Sequence, residues 1–328
     1  MFGIREDEIR VDYRTGREVI FSNPGHNNKP KDFNPPSQEW ESDVSKCPFE
    51  YGKESLNKTV SLADGNESSW KLKVIENKFP ILSPKFDFSP EKGFLLEKPS
   101  FGYCEVIIET PKHDLRLSDF NRDDCVRWID AIIKRENLLY SKDRIKYVYV
   151  FKNEGPLSGA TLSHSHSQLM AFEERSLSMK EEMNAITSFL KEDKGKCLYE
   201  YAIGHEKDRL LYENKTFIVI APFGSRFTAE SMILPKRHVN HVSLLSADEK
   251  QDLADALGTV LRKNKALFGK MSYNLLFHEL NDEINFHFHI ELCPRVLTPT
   301  SLQLAGFDTN RLLPEKYKEM FDSVIDNS

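Results

Sequence analysis

The sequence predicts a duplicated α+β fold in which each half has an antiparallel sheet and a flanking helix. Three observations support this prediction. A glutamate and a histidine eight positions apart occur in both halves, an amphipathic helical pattern follows each such pair, and each half closes on a strand-like His-x-His. The repeated residues are Glu105, His113, His164 and His166 in the first half, and Glu230, His238, His287 and His289 in the second.

The two helices are predicted from apolar residues that recur every three or four positions. One helix covers roughly residues 121–140 and the other roughly residues 247–265. Ser246, followed three positions later by Glu249, forms a capping box, in which each side chain hydrogen-bonds to the backbone N–H of the other residue. This pair therefore marks the start of the second helix.

The length of 328 residues is sufficient for two domains. A charge-rich stretch near residues 172–200 predicts the boundary, so we assign residues 1–172 to the first half and 173–328 to the second. A hydrophobic content of 39% and a charged content of 29% are typical of a globular enzyme.

Composition also restricts the partners. The net charge of −6 provides no basic surface for nucleic acid or an anionic membrane. No apolar run approaches the length of a membrane span, and the N-terminus lacks the apolar stretch of a signal peptide. Five scattered cysteines indicate a reducing compartment. We therefore expect a cytoplasmic protein without nucleic-acid or membrane partners.

The run from His164 to Gln168 is the clearest chemical signal. If it forms a strand, His164, His166 and Gln168 share one face, and Ser165 and Ser167 point the opposite way. The preceding loop, residues 153–163, contains two glycines and several hydroxyl groups, which allow backbone N–H groups to approach a phosphate.

An imidazole beside such a loop is suited to in-line attack on phosphorus. The amide of Gln168 can donate a hydrogen bond to a phosphoryl oxygen, but it cannot act as a general acid. This suits a leaving group that is itself a phosphate and needs no proton. The pattern therefore favours transfer over hydrolysis, with a histidine of the run as the predicted nucleophile and Gln168 as the second catalytic residue.

The segment Phe151-Lys-Asn-Glu-Gly-x-x-x-Gly-Ala-Thr-x-x-His-x-His-x-Gln168 resembles the active-site signature of the galactose-1-phosphate uridylyltransferases. These enzymes are the transferase branch of the histidine-triad superfamily and consist of two fused half-folds. The resemblance extends from near residue 12 to about residue 310 and implies a duplicated histidine-triad-like fold. The Ser-His-Ser-His-Ser-Gln version is also similar to the plant ADP-glucose phosphorylase relatives.

The resemblance implies ping-pong transfer through a nucleotidyl-His166 intermediate, with a nucleotide-sugar and a sugar 1-phosphate as substrates. The leading hypothesis is exchange of UMP between UDP-glucose and a hexose 1-phosphate in galactose metabolism. The close alternative is an ADP-glucose phosphorylase that transfers AMP to inorganic phosphate. A non-catalytic, zinc-stabilised nucleotide-binding protein is the alternative from another class. The family also implies a homodimer.

Further substrate contacts are implied by position within the family's motifs. Asn153, Gly159 and Thr161 match positions around the α- and β-phosphates, and Asn77 matches a nucleoside contact. The family's N-terminal arm carries arginines that contact phosphate, and His26 and Lys29 are the residues available here to replace them.

The resemblance also implies one or two structural zinc sites. The family's Cys-x-x-Cys is Cys-x-x-Glu here, and the same change occurs in both halves, which indicates that the glutamates are ligands. For the second site two sets of residues stay open. The first site comprises Cys47, Glu50, His113 and His164; the second comprises either Cys197, Glu200, His238 and His287 or Glu182, His278, His287 and His289.

Overall fold

The fold is described from a computed structural model, which covers residues 7–22, 44–53, 58–66, 68–85, 94–95, 97–192, 195–296 and 301–325. Its residues form two compact units. The first unit comprises residues 41–152 and 162–176, and the second comprises residues 1–40, 153–161 and 177–328. The boundary at residue 172 separates the two repeats along the sequence, whereas the two compact units are defined by packing. The boundary therefore stays a prediction.

The described residues form thirteen strands and six α-helices. The strands are β1 (Asp7–Val11), β2 (Glu18–Ser22), β3 (Thr59–Ala63), β4 (Leu72–Glu76), β5 (Tyr103–Ile108), β6 (Tyr147–Glu154), β7 (His166–Phe172), β8 (Leu210–Glu213), β9 (Phe217–Ile220), β10 (Ser231–Pro235), β11 (Tyr273–His278), β12 (His289–Pro294) and β13 (Asp308–Asn310). The helices are α1 (Arg122–Tyr140), α2 (Leu177–Glu192), α3 (Leu198–Ile203), α4 (Ala247–Phe268), α5 (Ser301–Leu304) and α6 (Pro314–Ser323).

The first half contains an antiparallel array in the order β3-β4-β5-β7-β6. The corresponding strands of the second half follow the order β8-β9-β10-β12-β11, which is the same arrangement. Along the chain, the long helix α1 lies between β5 and β6, and α4 lies at the corresponding place between β10 and β11. The duplicated α+β fold predicted from the sequence is thereby confirmed. A small sheet of β1, β2 and β13 is added in the second unit.

Both predicted helices are present, and their starts are fixed by caps. The side chain of Asn121 accepts a hydrogen bond from the backbone N–H of Asp124 at the start of α1. At the start of α4, the Ser246–Glu249 capping box makes both of its hydrogen bonds. No helix in the described ranges is both long enough and apolar enough to cross a membrane.

The repeated glutamates serve packing. Glu105 receives two hydrogen bonds from Arg135 of α1, at 2.7 and 2.6 Å, which attach the helix to the sheet of the first unit. Glu230 is paired with the buried Arg14 at 2.7 Å in the second unit. A buried carboxylate is stable only when it is paired, so each glutamate needs its arginine.

Candidate active site

His166 is the first residue of β7, and its side chain is almost completely buried. Its ring Nδ1 lies 2.8 Å from the backbone carbonyl oxygen of His164. A carbonyl can only accept a hydrogen bond, so the geometry assigns the imidazole proton to Nδ1. The lone pair is consequently on Nε2, which makes Nε2 the nitrogen that can attack an electrophile.

The sequence predicted a strand that begins at or before His164, but β7 begins only at His166. His164 lies just outside the strand, and its Nε2 donates to the carbonyl oxygen of Thr110 at 2.7 Å. The ring of Phe49 contacts both imidazoles, with centroid distances of 6.3 Å to His164 and 5.3 Å to His166. The two imidazoles thus lie close to the same phenyl ring in the first unit.

Sequence reasoning missed a buried polar network behind His166. Ser165 and Ser167 both donate to the carboxylate of Glu109, Ser165 at 2.6 Å, and Lys152 Nζ donates to it at 2.9 Å. Burial would raise the pKa of Glu109, but the charge of Lys152 and the serine hydrogen bonds outweigh burial and lower this pKa. The carboxylate is therefore ionised. The signal in the sequence was a lysine at an inward position of a largely apolar strand.

The glycine-containing loop that follows β6 is held within the second unit. Asn274 of β11 donates from Nδ2 to Asn153 Oδ1 at 2.7 Å and to the Ser158 carbonyl at 3.0 Å. Because Asn153 uses its oxygen as an acceptor here, its amide nitrogen is its donor group. Asn274 carries no motif, and sequence reasoning did not identify it.

Gly155 is a fixed point of this loop. Its φ angle of 85° favours glycine, and a Cβ built there would lie 2.7 Å from the Cα of Ser272. Gly159 has a similar φ of 84°, but open space surrounds its hypothetical Cβ, and Thr161 is exposed. Close backbone approach is thus required at Gly155, whereas Gly159 leaves room for a ligand.

Two further predicted residues lie in the first unit. Gln168 follows His166 by two positions in β7, so both side chains leave the same face of the strand. Asn77 directly follows β4, and its Oδ1 accepts a hydrogen bond from the backbone N–H of Phe79 at 2.9 Å. This bond leaves the amide nitrogen of Asn77 as its donor group. Lys29 lies outside the described residues.

The first predicted metal set converges in the first unit. The possible ligand atoms of Cys47, His113 and His164 all lie within 4.8 Å of one another, and all three residues are buried. Cys47 Sγ is 3.7 Å from His164 Nδ1, and a carboxylate oxygen of Glu50 is 3.5 Å from His113 Nδ1. Within the described chain, His113 Nδ1 and Glu50 Oε2 are buried without a hydrogen-bond partner, which a cation would correct.

This donor set fits tetrahedral zinc, which prefers thiolate and imidazole ligands. The Nε2 of His164 is occupied by a carbonyl, so Nδ1 is its ligating atom. Burial lowers the pKa of His164 and keeps the imidazole neutral, as a ligand must be. Burial raises the pKa of the Cys47 thiol, so formation of the thiolate depends on the cation.

The second half repeats this geometry in the second unit. Cys197, His238 and His287 bring their ligand atoms within 4.8 Å of one another, with Cys197 Sγ 3.3 Å from His287 Nδ1. The Nε2 of His287 donates to the Pro235 carbonyl at 2.9 Å, the counterpart of the His164 contact. Glu200 lies in the first turn of α3 and is exposed, and its role as a fourth ligand stays a prediction.

The alternative second set divides between two places. Glu182, His278 and His289 form a buried group, with His278 Nδ1 2.6 Å from one Glu182 oxygen and His289 Nε2 3.8 Å from the other. His287 instead belongs to the group around Cys197. Burial lowers the pKa of His289 to about 3, so this imidazole is neutral.

The chain is similar to known proteins in sequence and in fold. Residues 18–175 match the family described as "Galactose-1-phosphate uridyl transferase, N-terminal domain", and residues 118–308 match a domain of unknown function. The ADP-glucose phosphorylase of Arabidopsis thaliana is 33% identical over 97% of this chain and 93% of its own length. The galactose-1-phosphate uridylyltransferase of Thermotoga maritima is 30% identical over 80% of this chain and 86% of its own.

A crystal structure of an Arabidopsis thaliana ADP-glucose phosphorylase with bound ADP-glucose has a TM-score of 0.84 to this chain. It is 27% identical and covers 98% of this chain and 100% of its own. Together with the duplicated fold and the His-x-His-x-Gln site, these matches define an enzyme of the nucleotidyltransferase class. The chain belongs to the galactose-1-phosphate uridylyltransferase family, with ADP-glucose phosphorylases among its relatives.

Proposed function

We propose that this enzyme transfers a nucleoside monophosphate from a nucleotide-sugar by way of a covalent nucleotidyl-His166. One observation carries the proposal: the hydrogen bond from Nδ1 to the His164 carbonyl fixes the tautomer in which Nε2 is the nucleophile. As Nε2 attacks the α-phosphorus, an N–P bond forms. The P–O bond to the β-phosphate breaks, and the sugar 1-phosphate leaves without needing a proton.

The same hydrogen bond supports the intermediate. Once Nε2 carries phosphorus, the ring gains positive charge, and the His164 carbonyl oxygen stabilises the remaining N–H. An acceptor phosphate oxygen then attacks the phosphorus, the N–P bond breaks, and the lone pair returns to Nε2. The amides of Gln168, Asn153 and Asn77 are assigned to binding the nucleotide, with Gly159, Thr161 and Lys29 as further substrate-binding residues.

For the donor we place ADP-glucose first, with inorganic phosphate as the acceptor. The relative that is 33% identical over nearly the whole chain is an ADP-glucose phosphorylase, and a similar crystal structure holds ADP-glucose. Exchange of UMP between UDP-glucose and a hexose 1-phosphate is the second candidate. It is favoured by the match of residues 18–175 and by the Thermotoga maritima relative.

We also propose two structural zinc ions. Cys47, Glu50, His113 and His164 would hold the first, and Cys197, Glu200, His238 and His287 the second. Zinc would cross-link the loops that carry these ligands, and at His164 it would anchor the segment that enters β7. A homodimer located in the cytoplasm completes the proposal, on the resemblance to the family. Sedimentation of the purified protein tests the dimer.

Intact-mass measurement after incubation with ADP-glucose or UDP-glucose, without acceptor, tests the transfer. An added AMP or UMP identifies the nucleotide, and release by phosphate or galactose 1-phosphate identifies the acceptor. His166→Asn should abolish the adduct. His289→Asn, the equivalent change in the second half, should retain it. A protein that forms no adduct with either nucleotide-sugar would support the non-catalytic alternative instead.

A further inference from the structure

The residues behind His166 form a hydrogen-bond network inside the first unit. Lys152 Nζ donates to Glu109 Oε2 at 2.9 Å, to Ser165 Oγ at 3.0 Å and to the carbonyl oxygen of His166 at 3.2 Å. These contacts use the three N–H groups of the ammonium. The hydroxyl of Ser167 donates a hydrogen bond to Glu109 Oε1. The same hydroxyl accepts a hydrogen bond from Trp128 Nε1 of α1 at 3.0 Å. The network therefore links the main chain at His166 to the helix behind it.

The network lies where β7 is no longer paired with one of its two neighbouring strands, β6. The pairing of β6 with β7 ends at Phe151 and Gln168, whereas His166 is paired along β5, with Ile108. Lys152 supplies a hydrogen bond to the His166 carbonyl beyond the end of the β6 pairing. Ser165 directly precedes His166, and its carbonyl oxygen accepts a hydrogen bond from the backbone N–H of Glu109 at 3.3 Å. The Glu109–Lys152 pair thus holds the segment on which His166 is mounted.

The second half shows that the fold itself does not require this network. The positions that correspond to Ser165 and Ser167 are Phe288 and Ile290, and both are fully buried. His289 nevertheless makes the same ring contact, with Nδ1 3.0 Å from the His287 carbonyl. Apolar packing is generally at least as stabilising as a buried ion pair, so the ion pair in the first half calls for a reason other than stability.

We propose that Glu109 and Lys152 are positioning residues that fix the backbone and ring orientation of His166 for in-line attack. This inference rests on the proposed nucleophilic function of His166. Neither side chain is assigned a contact with substrate. Their effect passes through Ser165, Ser167 and the His166 carbonyl, and a small displacement of a reacting group costs about 100-fold in rate.

The test compares two double variants of the full-length protein. Glu109→Leu/Lys152→Met replaces the network with apolar groups and leaves neither charge unpaired. Glu105→Leu/Arg135→Met is the control, because it removes a different buried ion pair of the same unit, one that joins β5 to α1 and makes no hydrogen bond to the His166 segment. We expect similar melting temperatures for the two variants. We expect adduct formation to slow by about 10- to 100-fold in the first and to stay near the wild-type rate in the second.

A second measurement is independent of substrate. Hydrogen exchange at the backbone amides of residues 163–168 should be slow in the wild type and the control and faster in Glu109→Leu/Lys152→Met, because the network holds this segment of the main chain. Unchanged exchange and an unchanged rate in that variant would overturn the inference. Faster exchange in that variant of a protein whose wild type forms no adduct would sustain positioning and refute the proposed function.

If Glu109→Leu/Lys152→Met does not fold, Ser165→Ala serves in its place, since it removes one hydroxyl and retains both charges. It should lower the turnover number more than it changes the Michaelis constant, because the nucleotide contacts are assigned to other residues. An unchanged turnover number would count against the network as a positioning device.

Discussion

The ring Nδ1 of His166 lies 2.8 Å from the carbonyl oxygen of His164, and the equivalent distance from His289 to His287 is 3.0 Å. Both halves of the duplicated fold therefore hold the second histidine of the pair in the same tautomer. The difference lies around Nε2: in the second half this atom is 3.8 Å from the carboxylate of Glu182. The duplication supplies the geometry twice, and the surroundings decide which histidine is suited to react.

Asn274→Ala should lower the rate of nucleotidyl transfer. The substitution removes the hydrogen bonds that Asn274 donates to Asn153 and to the Ser158 carbonyl, and these bonds hold the glycine-containing loop that follows β6. We expect a rate decrease of roughly 10- to 100-fold with a small change in melting temperature. Steady-state kinetics and a thermal scan measure both quantities. A rate equal to wild type would show that Asn153 is oriented without Asn274.

Replacing the two loop glycines by alanine should have unequal effects. Gly155→Ala brings a Cβ within 2.7 Å of the Ser272 Cα at a φ of 85°, so the backbone must move. Gly159→Ala meets open space and incurs only the positive φ, which costs about 1 kcal/mol. Urea denaturation should therefore show a larger loss of stability for Gly155→Ala. Equal losses would contradict the close contact with Ser272.

Glu50→Ala and Glu200→Ala should each lower the zinc content after dialysis against a chelator, by about one ion per chain if the carboxylate is a ligand. Glu50 has the stronger structural support, because its carboxylate lies 3.5 Å from His113 Nδ1. Glu76→Ala, at an exposed site, is the control. Elemental analysis provides the measurement. Full zinc content in Glu200→Ala would remove Glu200 from the second site and leave its position to water.

Glu249→Gln should reduce stability at neutral pH but not in acid. Hydrogen bonds from Arg237, together with those from Ser246, lower the pKa of Glu249 to about 2, despite the opposing effect of burial. A folded-state pKa below the unfolded value of about 4.3 stabilises the protein above that pH, and this contribution is lost as pH falls toward about 2.

The melting temperatures of wild type and Glu249→Gln should therefore differ by roughly 2–4 °C at neutral pH and converge in acid. Asp248→Asn, an exposed change in the same helical turn, is the control for loss of charge alone. A difference that is independent of pH would show that the carboxylate contributes through packing rather than through its charge.

Much of the site was predictable because its residues occur in local patterns. His164, His166 and Gln168 are spaced by the two-residue repeat of a strand, and the Ser246–Glu249 box identifies a helix start. Asn274 and Glu109 were not predictable in the same way. Each acts on residues far away in the sequence, and neither carries a motif, so only the paired strands show what they contact.

The sequence by itself determined the duplicated α+β fold, the two long helices and the cap of the second helix, since these depend on periodicity, spacing and residue type along the chain. The assignment of His166 as the nucleophile rests on its motif and stays a prediction. The tertiary structure decided which imidazole nitrogen of His166 carries the lone pair. It also separated His287 from Glu182, His278 and His289, and it placed the Glu109–Lys152 pair behind the His-x-His run. These outcomes depend on hydrogen bonds and burial between distant residues, and such contacts exist only once the strands have paired.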